Sequence, residues 1–223
     1  EADRCEIYSD VDGIYTADPR VVKDAVKLDS IEYDTMLELA SLGAKVLNNR
    51  AVELAKKYNV KLTSSGSFSD EEGTKIESSG FESALVTGFT ADRNVTIVTV
   101  HSLDRAYSVF TKLANMGVPV DVIGQSVGLG EFSFTVKDEK VEKIQKILGD
   151  EYDVTFTPNC GKVSLVGCGM LGKPEVAKDV YEALAESNVK IKLISSSEIK
   201  FSVIVDDNDV DIALNSIHNK IVK

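Results

Sequence analysis

The sequence is poor in the residues that build metal and disulfide sites. Of its 223 residues, three are cysteine and two are histidine. Cys5, Cys160 and Cys168 form no C-x-x-C pair, which argues against a zinc site of that type and against a disulfide framework. Scattered thiols of this kind fit a reducing, cytoplasmic setting. His101 and His218 alone do not make a histidine-rich metal centre. No run of about 18 apolar residues occurs, so no segment reads as a membrane span. The opening EADRCEIYSD has neither the basic nor the apolar region of a secretory signal. Basic residues are also in the minority: 25 Lys and Arg face 36 Asp and Glu, a formal net charge of -11. Nucleic-acid binding rests on neutralising phosphates with Lys and Arg, so this balance argues against that class. The chain starts without Met, inside what reads as a structural element, and is expected to be part of a longer protein.

What is present is an ordinary globular composition, 43% hydrophobic and 27% charged. The length allows one large domain or two to three small ones. The strongest pattern is a repeat. Residues 95–136 read VTIVTV, a helical run, then VPVDVIGQSVGLGEFSFTV. Residues 163–205 read VSLVGCGM, a helical run, then VKIKLISSSEIKFSVIV. Leu113-Ala114 matches Leu184-Ala185, and Phe132-Ser133 matches Phe201-Ser202. A period of roughly 70 residues exceeds the 20–50 of solenoid repeats. It suits two copies of a ferredoxin-like β-α-β-β-α-β unit.

The first copy is complete: strands 95–100, 120–126, 131–136 and 154–157, with helices 104–116 and 138–148. The second has strands 163–168, 189–195 and 199–205, with helices 175–187 and 209–221, and then stops one strand short. An open sheet edge would be left exposed. The strand predicted at 84–89 supplies the missing element, which inserts the first copy into the second.

Ahead of the repeat lie strands at 5–11 and 60–63, a helix within 30–47 and a helix at 49–58. Residues 64–80, SSGSFSDEEGTKIESSG, read as a loop and domain boundary. The segment YSDVDGIYTADPR, residues 8–20, carries the chemistry. A strand ends in a hydroxyl and two carboxylates, and an aromatic ring and an Arg follow on a turn. The carboxyl ends of strands are where open α/β sheets bind ligands, and Arg can hold phosphate through two parallel bonds. Alone, the pattern is equally that of an Asp-Gly turn beside a proline.

With KLDSIEYDTMLELASLGAKVLNNRAVELAKKYNV, SFSDEEGTKI, VTGFTAD and VSLVGCGM after it, this segment resembles the aspartokinases of the amino-acid-kinase superfamily. The resemblance extends over essentially the whole chain. It implies an α/β (α+β) fold, the C-terminal piece of an amino-acid-kinase domain followed by two βαββαβ ACT modules. The boundaries expected are 1–66 for the kinase piece, 67–82 for a linker, 94–158 for the first module, and 83–91 with 162–223 for the second. It implies ATP and Mg as cofactors, with Ser9, Asp10, Tyr15, Arg20 and Lys45 around the nucleotide. No catalytic residue of the family falls in this stretch, because the glycine-rich phosphate loop and the aspartate site belong to its N-terminal half. The effector positions are Asp104, Asp121, Val122, Gln125 and Ser126 in the first module, and Ala177, Lys190 and Ile191 in the second.

Two readings follow. In the first, the chain is the C-terminal part of a cytoplasmic aspartate kinase, inactive alone, homodimeric through its ACT modules and regulated by an amino acid. Lysine is favoured over threonine because Asp104 and Asp121 suit a basic ligand, although Lys190 opposes it. In the second, it is a separate, non-catalytic regulatory subunit. Such a subunit is expected to start near 84–89, and residues 8–20 therefore favour the first reading. No nucleic acid, membrane or resident metal is expected.

Overall fold

A computed structural model describes residues 4–44, 46–78, 85–168 and 170–222, which form two sheets. The smaller contains β1 (Arg4–Ser9), β2 (Ser30–Ile31), β3 (Lys61–Gly66) and β4 (Thr74–Ile76) in the order β1-β3-β4-β2. β1 and β3 are parallel, and β4 runs antiparallel to β3. Helices α1 (Tyr33–Ser41) and α2 (Asn49–Tyr58) cover it. Asn48 caps α2 by accepting the Arg50 N–H, and Asn59 ends it in the left-handed conformation at φ 52°. Met36, Leu39, Val52, Leu62 and Ile76 share one core.

Two expectations are corrected here. The helix within 30–47 is shorter, because residues 30–31 pair with β4 instead. The stretch 67–82 is not a plain linker, since β4 lies inside it. Thr74 and Ile76 are fully buried around an exposed Lys75. Thr74 Oγ1 accepts the Ile14 N–H at 2.8 Å and donates to the Leu28 carbonyl at 2.6 Å. Three residues of strand pattern are hidden by the Ser, Gly and acidic residues on either side.

The larger sheet holds β5 (Gly88–Val100), β6 (Ile123–Ser126), β7 (Glu131–Lys137), β8 (Val154–Val166), β9 (Leu193–Ser196) and β10 (Lys200–Asp206), in the order β6-β7-β5-β8-β10-β9. Helices α3 (Ala106–Asn115) and α4 (Val141–Leu148) belong to the first module, and α5 (Pro174–Glu186) and α6 (Val210–Ile221) to the second. The long strands β5 and β8 serve both. Val95–Val100 pairs with β7 and with the first half of β8, while Gly88–Asp92 pairs with Lys162–Val166. The first module is thus inserted into the second, and Phe89 lies opposite Leu165 as the strand count requires. Residue 84 lies outside the described residues. Four strands expected as separate become two continuous ones. The joints keep their place in the ladder, with register shifts after Asp92, and Asn94 and Asn159 take the left-handed conformation there at φ 59° and 55°.

Each module buries its helices on one face of the sheet. Val98, Phe132, Phe134, Ile144 and Leu148 form the first core, and Leu165, Val180, Val203, Leu214 and Ile217 belong to the second. On the opposite face Val95, Ile97, Val122, Cys160 and Ile204 make a small shared core, and the edge strands β6 and β9 lie against each other. The second core also takes in Ala17 and Val22 from the kinase piece, and Lys200 pairs with Glu38 at 3.0 Å.

Candidate functional site

The parallel strands β1 and β3 bring their carboxyl ends together. The Ser67 N–H donates to the Ser9 carbonyl at 2.7 Å. A Cβ on Gly66 would stand 3.0 Å from Asp12 Cα, so the absence of a side chain permits the close approach. Ser9, at the end of β1, accepts the Val11 N–H on its hydroxyl at 3.2 Å, and Asp10 is exposed beside it. Tyr15 is half-buried and donates to Asp12 Oδ1 at 2.9 Å. Burial first, and then that bond, push its hydroxyl pKa up. Its backbone bridges to Lys27. Lys27 pairs with Glu71 at 3.0 Å and with Asp12 at 3.8 Å, and the hydrogen bond it donates to Glu71 raises its pKa.

Arg20 is exposed and forks onto Asp18, with Nη2 2.7 Å from Oδ2. This hydrogen bonding holds the Asp18 carboxyl below its ordinary range. Arg20 also feels the charge of Asp10. Lys45 lies outside the described residues. Tyr15, Asp12, Lys27 and Glu71 therefore form one cluster, and Arg20 sits with Asp18 further along the same turn. Sequence reasoning missed Lys27 and Glu71. Glu71 lies within the stretch expected to be a linker, and Lys27 reaches Tyr15 only through a bridge that the fold creates.

The expected effector residues do not share one surface. Asp104 is exposed in the 3-10 turn that leads into α3. Val122 is buried in the core shared by the modules, whereas Gln125, opposite Phe132 on β7, belongs to the other face by strand alternation. Ser126 is half-buried on the Val122 side. Asp121 is paired with Lys162, whose side chain is only 5% exposed. Sequence reading did not find Lys162, because the pair spans 41 residues. Both line a cavity of about 190 Å³ with Asp92, Pro119, Lys137 and Lys140. In the second module Ala177 and Ile191 pack at the margin of its core, and Lys190 is exposed. The position matching Asp121 is Lys192, which pairs with Asp206 at 2.6 Å and comes within 3.5 Å of the Cys160 thiol. Burial dominates there and raises the Cys160 pKa.

The adjoining carboxyl ends of β1 and β3 and the paired modules point to the class: a segment of an amino-acid kinase built onto ACT modules. Residues 1–64 match the amino acid kinase family, and residues 163–221 match the ACT domain. Over nearly its whole length the chain is similar to aspartokinases. It is 41% identical to Aspartokinase 2 of Bacillus subtilis over 98% of its length, and spans 57% of that protein. The aspartate kinase of Clostridium acetobutylicum superposes on 99% of the chain with a TM-score of 0.87 and 27% identity, 55% of that chain being covered. E. coli aspartokinase III in complex with lysine and aspartate superposes on all of it with a TM-score of 0.81 and 25% identity, 52% of that chain being covered.

Proposed function

We propose that the chain is the C-terminal part of an aspartate kinase, which phosphorylates the β-carboxylate of L-aspartate with Mg-ATP and is inhibited by an amino acid bound to its ACT modules. The observation that carries this reading is that the turn following the carboxyl end of β1, with Ser9, Asp10 and Tyr15, is joined to the second ACT module through a core that takes in Ala17 and Val22. The amino-acid-kinase match at residues 1–64 favours it over a separate regulatory subunit.

This region suits a nucleotide. It has a half-buried aromatic ring, a glycine whose Cβ would crowd Asp12, and cations at Lys27 and Arg20. ATP would be held by Ser9, Asp10, Tyr15, Arg20 and Lys45, and it supplies the phosphoryl group. The bond to Asp12 orients the Tyr15 ring, and Arg20 and Lys45 would supply positive charge to the phosphates.

For the effector, lysine is favoured over threonine. Asp121 takes its ammonium, and N–H groups at the start of a module helix take its carboxylate; Asp104 and Ser126, expected beside it, lie toward the other end of the module, where the Leu103 N–H donates to the Gly130 carbonyl and Ser126 pairs with Glu131. That ammonium competes with Lys162 for Asp121. The edge strand β6, with Ile123 exposed, and the exposed Val127 and Leu129 support a symmetric dimer through the modules. A cytoplasmic location fits the free thiols Cys5, Cys160 and Cys168.

Coupled ADP release with aspartate and Mg-ATP tests the reading. Full-length protein should turn over and this chain alone should stay at background. Arg20→Ala and Lys45→Ala in the full-length protein should each lower kcat/KM for ATP roughly tenfold to a hundredfold, the worth of a charge-assisted hydrogen bond. Unchanged ATP kinetics in both variants would defeat the placement.

A further inference from the structure

The turn that carries Tyr15 and Arg20 is held from outside the kinase piece. Thr16 stands between them and is 7% exposed. Its N–H donates to the Val26 carbonyl at 2.8 Å, and its hydroxyl oxygen accepts the Val26 N–H at 3.0 Å. Its carbonyl accepts the Phe89 N–H at 2.6 Å, from the strand β5 that the second module shares. The same hydroxyl lies 2.9 Å from Nε2 of His218, on the last turns of α6. His218 is 1% exposed, and its ring meets Phe89 edge-on at 5.1 Å. Its Nδ1 is 3.3 Å from Asn219 Oδ1. An amide oxygen only accepts, so these partners assign the proton to Nδ1. Nε2 then accepts from the Thr16 hydroxyl. The bonds run in one direction, from the Val26 N–H to Thr16, to His218, to Asn219. One helical turn earlier, Asn215 donates to the Val21 carbonyl at 3.2 Å.

We propose that His218 is a positioning residue for the nucleotide: from the second ACT module it holds Thr16, and with it the turn that presents Tyr15 and Arg20. This rests on the kinase reading above. A buried imidazole with no hydrogen-bond partner would be costly, so the histidine and the hydroxyl constrain each other. Ala17 and Val22 are already built into the core of the second module, so the turn moves with α6. A shift of α6 on effector binding reaches the nucleotide through this contact, and linkage makes the effect reciprocal.

The test uses the full-length protein and two substitutions at one position. His218→Phe keeps the ring packing against Phe89 and removes the acceptor. His218→Gln offers an amide oxygen near the place of Nε2. With His218→Phe, amide hydrogen exchange over residues 15–26 should quicken roughly tenfold, and the KM for ATP should rise roughly threefold to tenfold with little change in kcat. His218→Gln should restore both. A folded His218→Phe protein with parental exchange and parental KM overturns the proposal, as does His218→Gln behaving like His218→Phe. If His218→Phe does not fold, Thr16→Val against Thr16→Ser decides from the other side: Ser should match the parent and Val should loosen the turn, and a parental Val variant overturns the proposal. If the parent releases no ADP with aspartate, the kinase reading fails, and the exchange measurement still decides whether His218 holds the turn.

Discussion

Helix α4 of the first module has 8 residues, whereas α6 of the second has 12. The repeat aligns Val141 with Val210, Ile144 with Ala213 and Leu148 with Ile217. At that point α4 stops at Gly149, and α6 continues through His218 and Asn219. The extra turn adds His218 to the contacts that the second module makes with the kinase piece through Phe89, Lys200 and Asn215. The first module has no counterpart; its core is made of its own residues, and Tyr107, Val127 and Leu129 stay exposed. One fold unit, used twice, has been divided between two tasks. The second copy is anchored to the nucleotide turn, and the first presents a free surface. The difference lies in helix length and in which side chains the added turn carries.

The largest effect should come from cutting into the two cores. Ile144→Ala and Ile217→Ala each remove a fully buried side chain, at a cost of about 2–5 kcal/mol. Hydrogen exchange should separate them. Ile217→Ala should loosen residues 16–26 of the kinase piece as well as its own module, and Ile144→Ala should leave 16–26 protected. Equal loosening would remove the distinction between anchored and free modules.

The charge pairs at matching positions should differ next. Asp121→Asn leaves Lys162, 5% exposed at its side chain, without an ionic partner and should cost about 1–3 kcal/mol in denaturant unfolding. Asp206→Asn leaves Lys192, 24% exposed at its side chain, where water still reaches the ammonium; the cost should be under about 1 kcal/mol. The reverse order would mean that burial of the lysine does not set the cost.

The helix ends offer a smaller contrast. Gly117 after α3 and Asn188 after α5 hold the same place, with φ of 63° and 55°. The following N–H, of Val118 or Val189, returns to the carbonyl of Leu113 or Leu184 at 2.9 Å in both. Gly117→Ala should cost about 1–2 kcal/mol, because a Cβ is strained in the left-handed region. Asn188→Gly should change thermal stability by only a few tenths of a kcal/mol, since Asn tolerates that region. A large loss on Asn188→Gly would show that the Asn side chain has a separate role.

The smallest effect concerns pH at the anchored turn. The bond from Arg20 lowers the Asp18 pKa, so its contribution is present above the ordinary carboxylate pKa. It fades as the pH falls below about 4 through the lowered value. An NMR titration should find the Asp18 midpoint moving up in Arg20→Ala, toward the ordinary range. An unmoved midpoint would mean that Arg20 does not hold Asp18 in solution.

Several features could be read from local pattern alone. The alternation in VTIVTV and FSFTV, the helical spacing between such strands, and the count that left one strand missing specify two nested modules. Helix α2 spans 49–58 and ends at Asn59 as expected, since a helix end needs only its neighbours in sequence. The motif at 8–20 could be read as a strand end followed by a turn because these residues lie close along the chain.

Tertiary structure decided the rest. Asp92, Arg93 and Asn94 read as a break between strands, yet β5 continues across them, and its pairing with β8 resumes at Val95 after a register shift. β4 is a strand only because Ile14, Leu28 and β3 give Thr74 and Ile76 partners. Asp121 looked like an open carboxylate until Lys162 was folded onto it. His218 could have been a surface histidine; its partner Thr16 is 202 residues away. Local propensity and periodicity act over a few residues. Which polar groups end up buried, and who satisfies them, depends on chain segments that meet only when the cores close.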